Sequence, residues 1–200
     1  TMATVTPALT ADEYIELERT TGERNELRNG EAIPAVGGSG NHSLIIVSIS
    51  SELYARLKPT GQRVHSTEMR IAVPDGDSTS FTYADVVVPD GREIYTATKD
   101  TLTNPMLIVE VLSPSAEGYD RGEKFDNYCT IDTFREYLLV SQNKPNVTQF
   151  VKRDGNWLRF LHTDPNGSIN IESLNCQIAM ADIYAQVDFT KTDNANGTST

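Results

Sequence analysis

The sequence predicts an α+β fold, a mixed central sheet with flanking helices, and three observations point there. The segment "HSLIIVSISSELYARLK" (42–58) carries apolar residues at 45, 46, 49, 53 and 57, the period of a helix with one buried face. Two runs, "FTYADVVVPD" (81–90) and "LIVEVL" (107–112), are rich in branched aliphatic residues and read as strands. Further strand-like runs after residue 134 are separated by short turn signals, Asp154-Gly155 and Pro165-Asn166-Gly167.

In chain order, "TADEYIELERTT" (10–21) predicts a first helix, with Thr10 as cap and Glu13 completing a capping box. Within "NELRNGEAIPAV" (25–36), Asn29-Gly30 between two short extended runs predicts a two-residue hairpin. "GGSGNHS" (37–43) is a turn; it lacks the Lys-Ser/Thr that would complete a phosphate loop. The 42–58 helix follows. "GQRVHSTEMRIAV" (61–73) predicts a strand and "PDGDSTS" (74–80) a loop. After the two Val-rich strands, "SAEGYDRGEKFDNYCTI" (115–131) predicts a helix with Asp120 as N-cap and Glu123 three residues on. "FREYLLVSQ" (134–142) is a strand, and "VTQFVKRD", "NWLRFLHT" and "SINIESL" form a meander. A short helix around "MADIYAQV" closes the fold. Residues 1–190 read as one domain, and the tail "KTDNANGTST" (191–200) as disordered and polar.

Two hundred residues with 38% apolar content suit one domain with a sizeable core. No run approaches ~18 apolar residues, so no membrane span is expected. The first residues contain neither a basic nor a long apolar region, so no secretory signal is expected. Cys129 and Cys176 lie far apart in no ligand-like spacing, which reads as free thiols in a reducing cytoplasm. His65 and His162 sit in strand patterns with no partner ligand nearby, which argues against a zinc site. A net charge of -11 argues against a surface built for non-specific nucleic-acid binding, while leaving room for a local basic groove.

The two Val-rich strands each carry one acid, Asp85 and Glu110, in an apolar setting. A carboxylate buried without a partner costs several kcal/mol, so each needs compensation. Strand alternation gives Tyr83, Asp85 and Val87 a shared face of one strand, and Ile108, Glu110 and Leu112 a shared face of the other. If the strands are neighbours, the two acids converge, and a hard divalent cation such as Mg²⁺ or Mn²⁺ between them resolves their repulsion. Such an ion also activates water and stabilises charge on a phosphate. A cationic side chain is the remaining need of phosphodiester hydrolysis. Lys124, 14 residues after Glu110 and early in the next helix, is the candidate; Tyr128 follows at i+4 on the same face.

These residues resemble the PD-(D/E)XK nuclease superfamily, in which an Asp on one strand precedes an acid-X-Lys triplet on the next and the core order is αβββαβ. Residues 42–142 read in that order, between an N-terminal hairpin and a C-terminal β-meander. More narrowly, "YADVVV", "LIVEVLSPSAEGYDRGEKFDNY" and "REYLLVS" resemble a bacterial family of restriction-endonuclease-like proteins of otherwise unknown function. That family's pattern is Pro-Asp-Val, then Val-Glu-Val-hydrophobe-Ser-Pro-Ser, then Asp-x-x-x-Lys-x-x-x-Tyr, and the likeness runs from about residue 9 to 185. The resemblance implies Asp85 and Glu110 as metal ligands, the backbone carbonyl of Val111 as a further ligand, and Lys124 as the catalytic cation. It also implies DNA as substrate, a homodimer that places two sites on opposite strands, and Glu26, in "Glu-Leu-x-x-Gly", near the site. Two positions depart from the pattern. Ala84 stands where Pro precedes the Asp, and Leu112 stands where the triplet's Lys belongs, that Lys having moved to the helix at Lys124.

Each residue also has a plainer reading. Asp85 reads equally as a strand-end acid bonded to backbone amides, and Glu110 and Lys124 as a structural salt bridge. Asp120 reads as a cap, Tyr128 as a packed aromatic, and Trp157 as sheet packing. His42, at the start of its helix, either donates to a phosphate near the helix's positive end or packs and caps. Leu112 and the acidic charge also suit a nucleic-acid or protein-binding module with weak or no catalysis. Glycoside hydrolysis by the acid pair requires an aromatic-lined cleft, for which the acid-bearing strands offer little.

Overall fold

The computed structural model describes residues 8–35, 38–114 and 116–190. The tail at 191–200, and Gly37 of the Gly-rich turn, lie outside the described residues.

Helix α1 (Ala11–Thr21) starts on the expected capping box. The Glu13 amide donates to Thr10 Oγ1 at 3.3 Å, and the Thr10 amide donates to Glu13 Oε2 at 2.8 Å. Strands β1 (Asn25–Arg28) and β2 (Glu31–Pro34) form the hairpin. Its turn has φ of 49° at Asn29 and 78° at Gly30, the left-handed pair that a two-residue turn of this kind requires. Helix α2 (Gly40–Leu57) buries the same five side chains that its period marks: Ile45, Ile46, Ile49, Leu53 and Leu57.

The following strands are β3 (His65–Ser66), β4 (Arg70–Asp75), β5 (Ser78–Tyr83), β6 (Val86–Pro89), β7 (Thr101–Leu102) and β8 (Pro105–Leu112). Helices α3 (Glu117–Arg121) and α4 (Glu123–Tyr128) lead to β9 (Glu136–Ser141), β10 (Val147–Arg153) and β11 (Asn156–His162). Strands β12 (Ser168–Ile171) and β13 (Cys176–Ala179) and helix α5 (Met180–Ile183) finish the described chain.

The mixed main sheet has six strands in the order β11-β10-β9-β8-β6-β3, with β8 and β9 parallel and the other pairs antiparallel. The expected αβββαβ order is therefore α2, β3, β6, β8, α3/α4 and β9, with β4, β5 and β7, strands of a second sheet, inserted. A second sheet runs β2-β1-β5-β4-β7. Alternation along β8 divides the core. Leu107, Val109 and Val111 face α2, while Ile108 and Leu112 face Tyr128, Phe134 and Tyr137 on the other side. Among the described residues no helix is long and apolar enough to cross a membrane.

Five expectations are corrected. Residues 61–73 form two strands, because a turn closed by the Met69 amide on the Ser66 carbonyl sends β3 and β4 into different sheets. The polar stretch 74–80 is a tight hairpin around Gly76 (φ 57°); β5 tolerates Ser and Thr because its first residues are exposed or half-buried. The run 81–90 breaks at Ala84-Asp85, where the chain passes between sheets, so strand alternation does not run through Asp85. The helix at 115–131 is interrupted at Gly122. Asp120 lies inside α3 and does not cap α4, whose N-cap is Gly122. The 168–171 strand leaves the meander and pairs with β13, a strand the sequence reading missed.

Candidate active site

The break at Ala84-Asp85 places Asp85 at the edge of β8, where antiparallel register pairs Val86 with Val109. The Val111 amide donates to Asp85 Oδ2 at 2.7 Å. In a strand the N–H and C=O of one residue point to the same edge, so the Val111 carbonyl also faces this side. His42 Nε2 lies 3.3 Å from Asp85 Oδ2 and hydrogen-bonds the Val111 backbone. Local contacts fix His42 there. Ser39 caps α2 by accepting from the His42 amide at 3.2 Å, and its hydroxyl donates to Gln142 Oε1. Gln142 Nε2 in turn donates to the Leu112 carbonyl at 2.9 Å, joining α2 to the ends of β8 and β9. A Cβ on Gly38 would stand 2.4 Å from His42 Nδ1, so glycine there is what lets the ring pack down.

Glu110 projects from β8 to the other side and is buried. Lys124 Nζ, reaching back from α4, lies 2.8 Å from its Oε1, and Tyr128 donates to the same atom at 3.0 Å. Lys124 also donates to the Tyr83 carbonyl at 3.1 Å and lies 3.4 Å from Glu26 Oε1 and 3.6 Å from Asp120 Oδ1. One ammonium thus faces three buried carboxylates. Glu26 has further support from Thr82, which donates at 2.8 Å, and from Arg28.

The titration directions follow from that imbalance. Burial alone would drive Lys124 toward neutrality, but Glu110, Glu26 and Asp120 outweigh it and hold its pKa well above the ordinary value. Burial raises Glu110 strongly, reinforced by Asp120 and Asp85 against the pull of Lys124. Burial likewise raises Asp120, with Asp85 and Glu26 adding to it. Burial also pushes Glu26 up, yet Lys124 and Arg28 bring it below its usual value. Burial would lower His42, but its bond to Asp85 raises it.

A cavity of about 300 Å³ opens onto these groups, lined by Asp85, Glu110, Val111, Lys124, His42 and Glu26 among others. Of the residues the sequence points to, Glu110, Lys124, Glu26 and Tyr128 form one contact network and Asp85 and His42 a second, and one cavity opens onto both. Asp120 belongs to the first as well; its i,i+4 spacing to Lys124 was the available signal. Arg24, Arg28, Tyr83 and Tyr119 also line the cavity but were not singled out. For Arg28 the available signal is alternation, since it shares a face of β1 with Glu26, and Arg24 continues the same two-residue spacing just before the strand.

The residues present fit a hard divalent cation. Asp85, Glu110 and the Val111 carbonyl offer oxygen donors only, and the surrounding carboxylates carry more negative charge than one lysine offsets. Among the described residues there is no cluster of three or more His, Cys, Asp or Glu side chains spaced for a metal. A set of two carboxylates and one backbone carbonyl, completed by water and phosphate, does not require one.

The mixed sheet with a helix on each face is a nuclease-like fold. The chain belongs to the Uma2 family, described as putative restriction endonuclease, whose model matches residues 11–181. It is similar to two uncharacterized proteins of Synechocystis sp. One is 36% identical over 155 residues, covering 76% of this chain and 86% of the relative; the other is 32% identical over 185 residues, covering 92% and 95%. Its fold matches a crystal structure from Anabaena variabilis described as a putative nuclease belonging to DUF820. The TM-score is 0.71 at 18% identity, covering 88% of this chain and 98% of that one.

Proposed function

We propose that this protein is a Mg²⁺- or Mn²⁺-dependent endonuclease that hydrolyses phosphodiester bonds of DNA. The observation that carries the reading is the meeting of Asp85, Glu110 and Lys124 at one cavity, with Lys124 Nζ 2.8 Å from Glu110. Asp85, Glu110 and the Val111 carbonyl would hold the cation. When bound, the cation supplies Lewis-acid stabilisation of phosphate charge and lowers the pKa of water. Lys124 keeps its proton at neutral pH, so it acts as a fixed positive charge and a donor that orients the attacking water, not as a base. Tyr128 fixes the Glu110 carboxylate, Glu26 steadies Lys124, and His42 orients Asp85.

The test is plasmid cleavage with Mg²⁺ by the parent, Asp85→Ala and Lys124→Ala. Each substitution is expected to lower the rate by about 10²–10³-fold, the usual loss of one preorganised electrostatic group. Undiminished cleavage by either variant refutes the assigned role.

A second reading, a binding module with weak or no catalysis, is favoured by the enclosure of Lys124 among three carboxylates and by Leu112 in the triplet position. Calorimetry separates the two: no Mg²⁺ or Mn²⁺ binding at millimolar concentration selects the module.

A further inference from the structure

A polyanion approaching this cavity meets a carboxylate-rich centre on a chain of net charge -11. Something at its mouth must attract the phosphates. Lys124 cannot do so directly, because its side chain is only 6% exposed. The most exposed cations of the lining are Arg24 and Arg28, at 33% and 27%.

Arg28 ends β1 and Arg24 immediately precedes it, two residues either side of Glu26, and all three line the cavity. Arg28 is preoriented. Its guanidinium stacks 3.5 Å from the centroid of the Tyr119 ring and bonds to Glu26. Should Arg28 turn to a phosphate, Glu26 keeps Thr82 at 2.8 Å and Lys124 at 3.4 Å and is not left unpaired. Arg24 donates to the Thr67 carbonyl and to Glu68, both at 3.0 Å, and Glu68 is 87% exposed, so this bond exchanges readily for a phosphate. Four residues of strand span about 13 Å, the axial length of roughly four nucleotides of one DNA strand.

We infer that Arg24 and Arg28 are the phosphate-backbone contacts for duplex DNA, one on each side of the scissile phosphate. This rests on the nuclease reading for the identity of the ligand, but it concerns binding and not chemistry. Contacts of this kind position without reading sequence.

The experiment measures the affinity of a short mixed-sequence duplex between about 50 and 200 mM salt, in chelator so that nothing is cleaved. Each arginine that neutralises a phosphate adds about 0.9 to the slope of log affinity against log salt. Over that range the parent should therefore lose about 3.5-fold more affinity than Arg24→Gln or Arg28→Gln, and about 12-fold more than the double variant. Arg28→Lys should keep the slope, because the charge stays, while binding more weakly without the planar stack. Arg159→Gln, an exposed arginine on β11 outside the cavity lining, should leave the slope unchanged.

A double variant with the parental slope overturns the inference. So does an equal loss in Arg159→Gln, which would make the effect one of net charge. If Arg28→Gln fails to fold, Arg24→Gln decides alone. A parent that binds with this arginine-dependent slope yet cleaves nothing in Mg²⁺ leaves the contacts standing and removes only the catalytic reading.

Discussion

Lys124 shows why a buried ammonium here is not an ordinary ion pair. Taken out of water by itself it would be strongly disfavoured, yet Glu110, Glu26, Asp120 and the Tyr83 carbonyl all face it. Replacing it with Met leaves three buried carboxylates without their shared cation. The expected cost is about 3–5 kcal/mol, or about 6–20 °C in Tm for a chain of this size. Thermal melts of Lys124→Met against the parent check this, and adding Glu110→Gln should recover part of the loss by removing one of the stranded acids. A single variant melting within about 2 °C of the parent would mean that Lys124 does not hold the cluster. Glu136 makes a contrasting case away from the site. Burial raises its pKa, and amide donors from Ser173 and Glu172 and the side chain of Gln149 only partly oppose that. An acid with a raised folded pKa gives stability that is complete below its unfolded value of about 4.5 and is lost as pH rises through the folded value. Glu136→Gln has no such titration. Its Tm relative to the parent should therefore climb between pH 4 and pH 7, and a constant difference would reject this account. Asp85 and Glu110 are legible in the sequence because each interrupts an apolar run. Asp120, Arg28 and Tyr119 are not, because the spacings that could place them are the same whether a helix acid, a strand arginine or a tyrosine faces solvent or a cavity.

At the scale of elements, period and turn chemistry succeeded where they are strong. Thr10 with Glu13, Asn29-Gly30, Asp154-Gly155 and the five apolar positions of α2 each named an element that the fold contains. They failed where the information lies in pairing partners. Nothing local says that "FTYADVVVPD" must leave one sheet at Ala84 and enter another at Val86, or that Gly122 splits a helix so that α4 can aim Lys124 at β8. Strand β13 was missed because its four residues take their meaning from β12. The α2 stripe gives a direct test. Ile49 is fully buried against the six-stranded sheet, on the face opposite Glu110. Ile49→Ala should cost about 2–5 kcal/mol by lost transfer energy and cavity formation. At temperatures where the variant is fully folded its DNA affinity should match the parent's, since Ile49 packs in the cluster across the sheet from Glu110 and Lys124. Reduced stability by urea titration with unchanged affinity is the expected pair of results.

The whole molecule explains why the site forms at all. The five-stranded sheet supplies Glu26 and the Tyr83 carbonyl, the six-stranded sheet supplies Glu110 and Val111, and α4 bridges them through Lys124. The sheets also share one apolar cluster, in which Ile71 and Val73 of β4 pack with Val87, Ile108, Tyr128 and Phe134. Thr130 adds a hydrogen bond to the Pro74 carbonyl at 3.1 Å. Neither sheet can open without exposing that cluster and stranding the charges between them, so the two should unfold together. The single tryptophan offers a probe of one side. Trp157 packs on Phe125 of α4 at 5.2 Å and on Phe134 at 5.0 Å, so its emission follows the docking of α4 on the six-stranded sheet. Far-UV ellipticity reports both sheets at once. In urea the two signals should give one coincident midpoint and slope, as all-or-none unfolding requires. An ellipticity change that precedes loss of the Trp157 signal would show the five-stranded sheet leaving first, carrying Glu26 and Arg28 away from a site that could then form only in part.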